Sequence, residues 1–328
     1  MNEQMIRNCE LFIRNRDCLK HVFRWDSNLL LLGCSSLATN QDAMLDERRL
    51  NECKNILKNT VGSFNNFRGI TRTVVVTALA LSDEPEVTLR KALNVYGMLK
   101  KEFATTSYLP FVAILIAQNV EEEQYQSIVE RTKRIYKGMK ADHRFLTSHE
   151  DCAFCALMAC SDLSDEALLR EAENCYQILS KEFNSKNAVQ SLSHVLALYA
   201  GTAQQKCDRV IRLYNKMREA GIKYGTYNEL PTLGLLAMLD VDTEELIKQI
   251  VEVSDWLNQQ KGFGFWGGVS NKARFMYAGI LLQKEYMISQ QMSTVAVNSA
   301  VSVIIAQQIA ICTAIAASSA AAASNSSN

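Results

Sequence analysis

"ENCYQILSKEF" (173–183) nearly repeats "LNVYGMLKKEF" (93–103), eighty residues apart in one chain. Widening the comparison to 86–103 against 166–183 gives ten identities in eighteen positions: Glu86/Glu166, Leu89/Leu169, Arg90/Arg170, Ala92/Ala172, Asn94/Asn174, Tyr96/Tyr176, Leu99/Leu179, Lys101/Lys181, Glu102/Glu182 and Phe103/Phe183. The shared apolar positions 89, 92, 96, 99 and 103 step by three and four residues, which places them on one face of an α-helix.

Half of that interval is the true period. Ile56, Tyr96, Tyr136, Tyr176, Tyr214 and Trp256 recur about every 40 residues, each in an amphipathic segment rich in Lys, Arg and Glu. These six segments form a B series. Between them runs an A series: "NLLLLGCSSLA", "TVVVTALAL", "LPFVAILIA", "CAFCALMAC", "LSHVLALYA", "LPTLGLLAML" and "RFMYAGILL". A-series segments are apolar nearly all round. Each follows a residue able to cap a first helical turn: Asp26/Ser27, Thr71, Ser107, Ser148, Asn187, Thr226 and Ser270. Acidic and hydroxyl residues open the B segments in "SDEPE", "NVEEE", "SDLSDE" and "DVDTEE", where the helix dipole favours them. Only "TVVVT" has a composition that argues for a strand.

An all-α fold of tandem α-hairpins follows, because one hairpin of this size cannot bury its own apolar face. All-round apolar A helices beside one-sided B helices predict an (α/α) toroid, with A inside and B outside. An open α-solenoid is the alternative. The expected organisation is a leading helix at 1–22, one repeat domain at 23–288, and a charge-free end at 289–328 that closes in a frayed Ala/Ser tail. Residues 293–317 are long enough to span a bilayer, but Asn298, Gln307 and Gln308 would be costly there. Val301, Ile304, Ile305, Cys312 and Ile315 make a rough apolar face suited to packing on the array.

Composition limits the function classes. Lys+Arg and Asp+Glu are both 35 in 328 residues, so no basic excess points to nucleic acid. The charged N-terminus has no signal-peptide core, and the ten cysteines lack disulfide-scaffold spacing. A cytoplasmic setting with reduced thiols is expected.

Chemistry-bearing patterns are few. His149, Cys152, Cys155 and Cys160 could make a zinc or redox site, but no second Cys pair accompanies them. Packing cysteines are the expectation, with no metal and no cofactor. His194 sits in an apolar segment, as a core histidine would. "KGFGFWGGVSNKARF" (261–275) sets four glycines and three aromatics before the last A segment, and reads as a plug of Phe263, Phe265 and Trp266 or as a pocket wall. The repeating Tyr96, Tyr136, Tyr176 and Tyr214 read as core spacers. If the A starts converge, Arg72, His149, Asp151, Asn228, Glu229, Trp266 and Arg274 become the candidate ligand-binding residues.

The block "ALALSDEPEVTLRKALNVYGMLKKEF", its copy at 156–183, "NAVQSLSHVLALYA" and the Ala/Ser-rich end together resemble a bacterial family catalogued as domain of unknown function 4003. That resemblance implies a cytoplasmic bacterial protein with no established activity, and it carries over no site residues. The leading expectation is a non-enzymatic repeat protein that binds a protein or peptide. An enzyme or small-ligand binder at the A-helix starts, and a scaffold with membrane contact through 293–317, are the alternatives.

Overall fold

The computed structural model describes residues 1–63, 65–69, 71–106, 109–143, 146–147, 151–263 and 268–290, together with Ile311 and Ile315. Among the described residues the chain is all-helical, with no strand. The predicted leading helix is α1 (Glu3–Val22). The A series is α2 (Asn28–Asn40), α4 (Arg72–Ala80), α6 (Leu109–Asn119), α8 (Cys152–Ala159), α10 (Lys186–Ala197), α12 (Leu230–Ala237) and α14 (Asn271–Gln290). The B series is α3 (Glu47–Thr60), α5 (Pro85–Glu102), α7 (Tyr125–Asp142), α9 (Asp165–Leu179), α11 (Ala203–Glu219) and α13 (Thr243–Asn258).

The two series differ in burial as their sequences require. Eight consecutive residues of α6, Leu109–Ile116, are all buried, and so are all eight of α8 and of α12. In α7 only Tyr125, Val129, Thr132, Ile135, Tyr136 and Met139 are buried, at three- and four-residue steps. "TVVVT" lies in α4, with Thr73–Leu79 buried. Complete burial there overrides the β preference of its valines, and Thr77 returns its hydroxyl to the Thr73 carbonyl at 2.8 Å.

Several helix starts are as the sequence marked them. Ser27 accepts from Leu30 N, Ser164 from Ala167 N, Asp242 from Glu244 N and Glu245 N, and Ser270 from Ala273 N. Other starts shift. α10 begins after Ser185 rather than Asn187. α12 begins after Glu229 rather than Thr226, because Tyr227–Glu229 form a turn and Pro231 fits only the first helical turn. Thr71 precedes α4 without a side-chain capping bond. Ser107 and Ser148 lie outside the described residues.

Two compact units result. One is built on Arg14–Ser161 and, from the far end of the chain, Ile315; the other on Met1–Ile13 and Asp162–Ala314. The division passes through α1. In the first unit each B helix packs on the following A helix (α3 on α4, α5 on α6, α7 on α8), A helices pack in succession from α2 to α8, and B helices from α3 to α7. The second unit repeats the scheme, with α9 on α10, α11 on α12 and α13 on α14, A helices in succession from α10 to α14 and B helices from α9 to α13.

The periodic tyrosines are spacers in these layers. Tyr96, Tyr136 and Tyr176 are buried. A phenylalanine from a turn meets the ring edge-on in three repeats: Phe67 on Tyr96 at 5.2 Å, Phe103 on Tyr136 at 5.4 Å and Phe183 on Tyr214 at 5.1 Å. A basic residue four positions on covers the tyrosine face, as Lys100, Lys140 and Arg218 do.

Arginines of B helices tie successive hairpins together. Arg49 donates to the Ser82 and Asp83 carbonyls, Arg131 to those of Ala159 and Ser161, and Arg209 to that of Leu239. Each satisfies carbonyls at or just past the end of an A helix, where no intrahelical donor remains. Lys206 does the same for α10 from an almost wholly buried position, 2% exposed. Its Nζ donates to Leu196 O and Tyr199 O at 2.9 Å and pairs with Glu171 at 2.7 Å. Lys206→Met should therefore lower the stability of this unit by about 2 kcal/mol, because two carbonyls and a carboxylate lose their partner while the aliphatic volume is kept. Urea unfolding of the two proteins checks it.

Candidate functional site

The turn between α1 and α2 gathers the most unusual exposed chemistry in the described chain. Helix α1 ends at Val22, the Asp26 amide bonds back to Phe23 O, and Ser27 caps α2. The sharp reversal sends Phe23 inward, buried, while Trp25 stands out in solvent at 97% exposure. Tryptophan is among the residues with most to gain from burial, so a ring this bare is informative.

Cations surround that turn. Lys20 Nζ donates to Arg24 O at 2.9 Å and Asp26 O at 3.4 Å. Lys54 Nζ stands 5.4 Å from the Phe23 ring centre and reaches Val22 O at 3.5 Å. Arg72, a sequence-stated candidate, lays its guanidinium 5.8 Å from the same ring. Its Nε is buried and has no hydrogen-bond partner among the described residues. Arg24 is exposed beside Trp25. The turn's one carboxylate, Asp26, is engaged by the Thr73 hydroxyl. Beneath it, burial pushes the Cys34 thiol up to about 12; a hydrogen bond from Thr77 works against that shift, and the Asp26 charge adds to it. Four cations and a bare indole, with Asp26 engaged by Thr73 and Glu47 paired with His21 at 2.7 Å, make a surface suited to an acidic, apolar segment.

The other candidates have separate surroundings. Asp151 precedes α8 and is buried, and its charge helps to hold the Tyr136 hydroxyl and the Cys152 thiol above their ordinary values, after the larger effect of burial. Glu229 folds back on its own loop, its Oε2 accepting from Tyr227 N at 3.2 Å, and Asn228 is exposed next to it. Arg274 is buried and turned toward α13, donating to Ser254 Oγ at 2.9 Å and Asn258 Oδ1 at 2.6 Å. Among the described residues, Arg274 donates to α13 and Glu229 accepts from its own loop, and no hydrogen bond or ion pair joins the two. His149 and Trp266 lie outside the described residues, as do Phe265 of the glycine/aromatic loop and all of 293–317 except Ile311 and Ile315.

Cys152 and Cys155 are buried in α8, where Cys155 Sγ contacts Met139 Sδ at 3.2 Å. Burial pushes the Cys152 thiol up to about 12 and that of Cys155 well above its ordinary value. Both behave as packing residues, far from the thiolate that redox or metal chemistry needs. His194 is likewise a buried residue of α10. A cleft of ≈ 340 Å³ opens between α11 and the α12–α13 turn, lined by Arg209, Arg212, Asp240 and Thr243 among others. Arg209 there is already committed to Leu239 O at 2.7 Å.

Trp25 carries no periodic or motif signal, and reasoning from repeats passes over it. What marks it is an aromatic set between Arg24 and Asp26 in a turn, rather than in an apolar stripe.

A family model described as "Protein of unknown function (DUF4003)" matches residues 15–310. The chain belongs to this family. DUF4003 membership covers both the repeat array and the Trp25 turn. No curated protein and no solved structure matches the chain.

Proposed function

We propose that this DUF4003 protein is a non-enzymatic helical-repeat protein of the bacterial cytoplasm, which binds a partner protein through an acidic, apolar segment docked on the Trp25 turn. The observation that carries the reading is the 97% exposed Trp25 on a turn that also carries Arg24, whose backbone Lys20 holds, and whose Phe23 ring Lys54 and Arg72 approach. Exposed aromatics on a basic turn make energetic centres of protein interfaces, because burying the ring releases water while the charges select the partner. Nine described cysteines are free thiols, which supports a reducing compartment. Helix α4 packs on both α2 and α3 near the turn, which supports a preformed surface that loses little order on docking.

A photo-crosslinking residue at position 25 tests it in living cells. One protein adduct should form, its cross-linked peptide should be acidic and apolar, and Arg24→Glu with Lys54→Glu should reduce the yield at least tenfold. No adduct, an adduct to lipid, or a basic peptide would refute the assignment.

A further inference from the structure

Three A helices carry a glycine deep inside them, where glycine is a poor helix residue and needs a compensating reason. In α12 the reason is α10: a Cβ on Gly234 would meet Leu192 Cδ1 at 2.5 Å. In α14 it is α12, since a Cβ on Gly279 would meet Leu236 Cδ1 and Thr232 Cγ2 at 2.9 Å. Helix α2 is the first of the A series, with no A helix before it in the chain. Yet Gly33 is filled in the same way, by Ile315: a Cβ would meet Ile315 Cγ1 at 2.5 Å, with the Ile315 backbone Cα at 3.7 Å.

We propose that Gly33 is the notch of an intramolecular docking site on α2, and that Ile315, from the charge-free end of the chain, is its occupant. Ile311 and Ile315 are each at a helical position. Both are buried, at 1% and 2% exposure. Ile315 supplies to Gly33 what α10 supplies to Gly234. The β-branched side chain suits the notch because it is stiff and fills a hole with little loss of rotamer freedom. Gly33 has an ordinary helical backbone, so its small size serves the close approach of Ile315 and not an unusual φ.

Hydrogen exchange of the full chain, read on peptides containing Ile311 and Ile315, tests this. In the wild type these peptides should be protected to the same degree at 1 and 50 μM protein, with no vesicles present (concentrations of this order keep a cis contact formed and leave weak association unsaturated). Ile315→Ala and Gly33→Leu should each raise their exchange rate at least tenfold, while peptides from α10 and α12 keep theirs. Gly33→Leu is also read on α2 itself, and Ile315→Ala decides the matter alone if α2 is disturbed. Unprotected peptides in the wild type, or unchanged rates in Ile315→Ala, would overturn the proposal. So would protection that grows with protein concentration, which means a second copy, or that needs phosphatidylglycerol/phosphatidylethanolamine vesicles, which means a bilayer.

Discussion

Phe12→Ala should lower the unfolding free energy of the unit built on Met1–Ile13 and Asp162–Ala314 by about 3–5 kcal/mol. Phe12 is 0% exposed, in the half of α1 that packs in this unit. Its ring centre lies 6.3 Å from that of Phe263 and 5.7 Å from that of Tyr277, both also buried. Truncation removes the whole ring from a close-packed site and leaves a cavity that two other aromatics cannot collapse to fill. The contacts around it are polar and weaker. Asn8 donates to Glu285 at 3.1 Å, Lys284 donates to Asn8 at 3.2 Å, and the N-terminal amine pairs with Glu252 at 2.7 Å. The amine–carboxylate pair is solvent-facing at its carboxylate, so it contributes little beside the aromatic cluster. Chemical denaturation followed by circular dichroism should show the loss, and Phe12→Leu should recover more than half of it. A Phe12→Ala protein within about 1 kcal/mol of the wild type would mean that α1 is dispensable there.

The fold was legible because the repeat states its own period. Tyr96, Tyr136, Tyr176 and Tyr214 mark the B helices, and the apolar runs between them mark the A helices; every one of those elements is a helix of the matching kind. The burial contrast was legible too, since α6 has no polar residue before Gln118 and α7 has a charge or amide in every turn. Helix starts were legible only where a hydroxyl or carboxylate does the capping. α12 is instead set by Pro231 and a turn, and a reading that looks for a cap at Thr226 begins it too early.

Site residues were harder to read. Arg274 looked available because it opens an apolar helix, but its donors go to Ser254 and Asn258 on the preceding helix. That pairing spans helices, and no local pattern announces it. Gly33 gave no sign either, because its reason lies at Ile315, at the opposite end of the chain. Arg72 stands at the start of α4, and its nearness to Phe23 and Lys54 arises only once α1, α3 and α4 are folded together. Trp25 shows the converse: what sets it apart is its exposure, and a sequence records no contacts.

Repeat arrays of this kind owe their stability to neighbours, so the inner helices have to be enclosed from every direction. Helix α6 puts that requirement to the test. Val112, Ala113, Ile114 and Leu115 are consecutive and all buried, and at about 100° per residue they sample the whole circumference of the helix. A lysine substituted at each in turn should cost at least about 4 kcal/mol, because an unpaired ammonium would be forced into an apolar interior whichever way it points. Gln126→Lys and Glu130→Lys on the wet face of α7 should stay within about 0.5 kcal/mol of the wild type. The urea midpoints of these six proteins are the measurement that decides the account. Four severe losses on α6 beside two small effects on α7 are what it predicts; a single α6 position that accepts lysine with less than about 1 kcal/mol lost would contradict it, since that side of the inner helix would then be open to water.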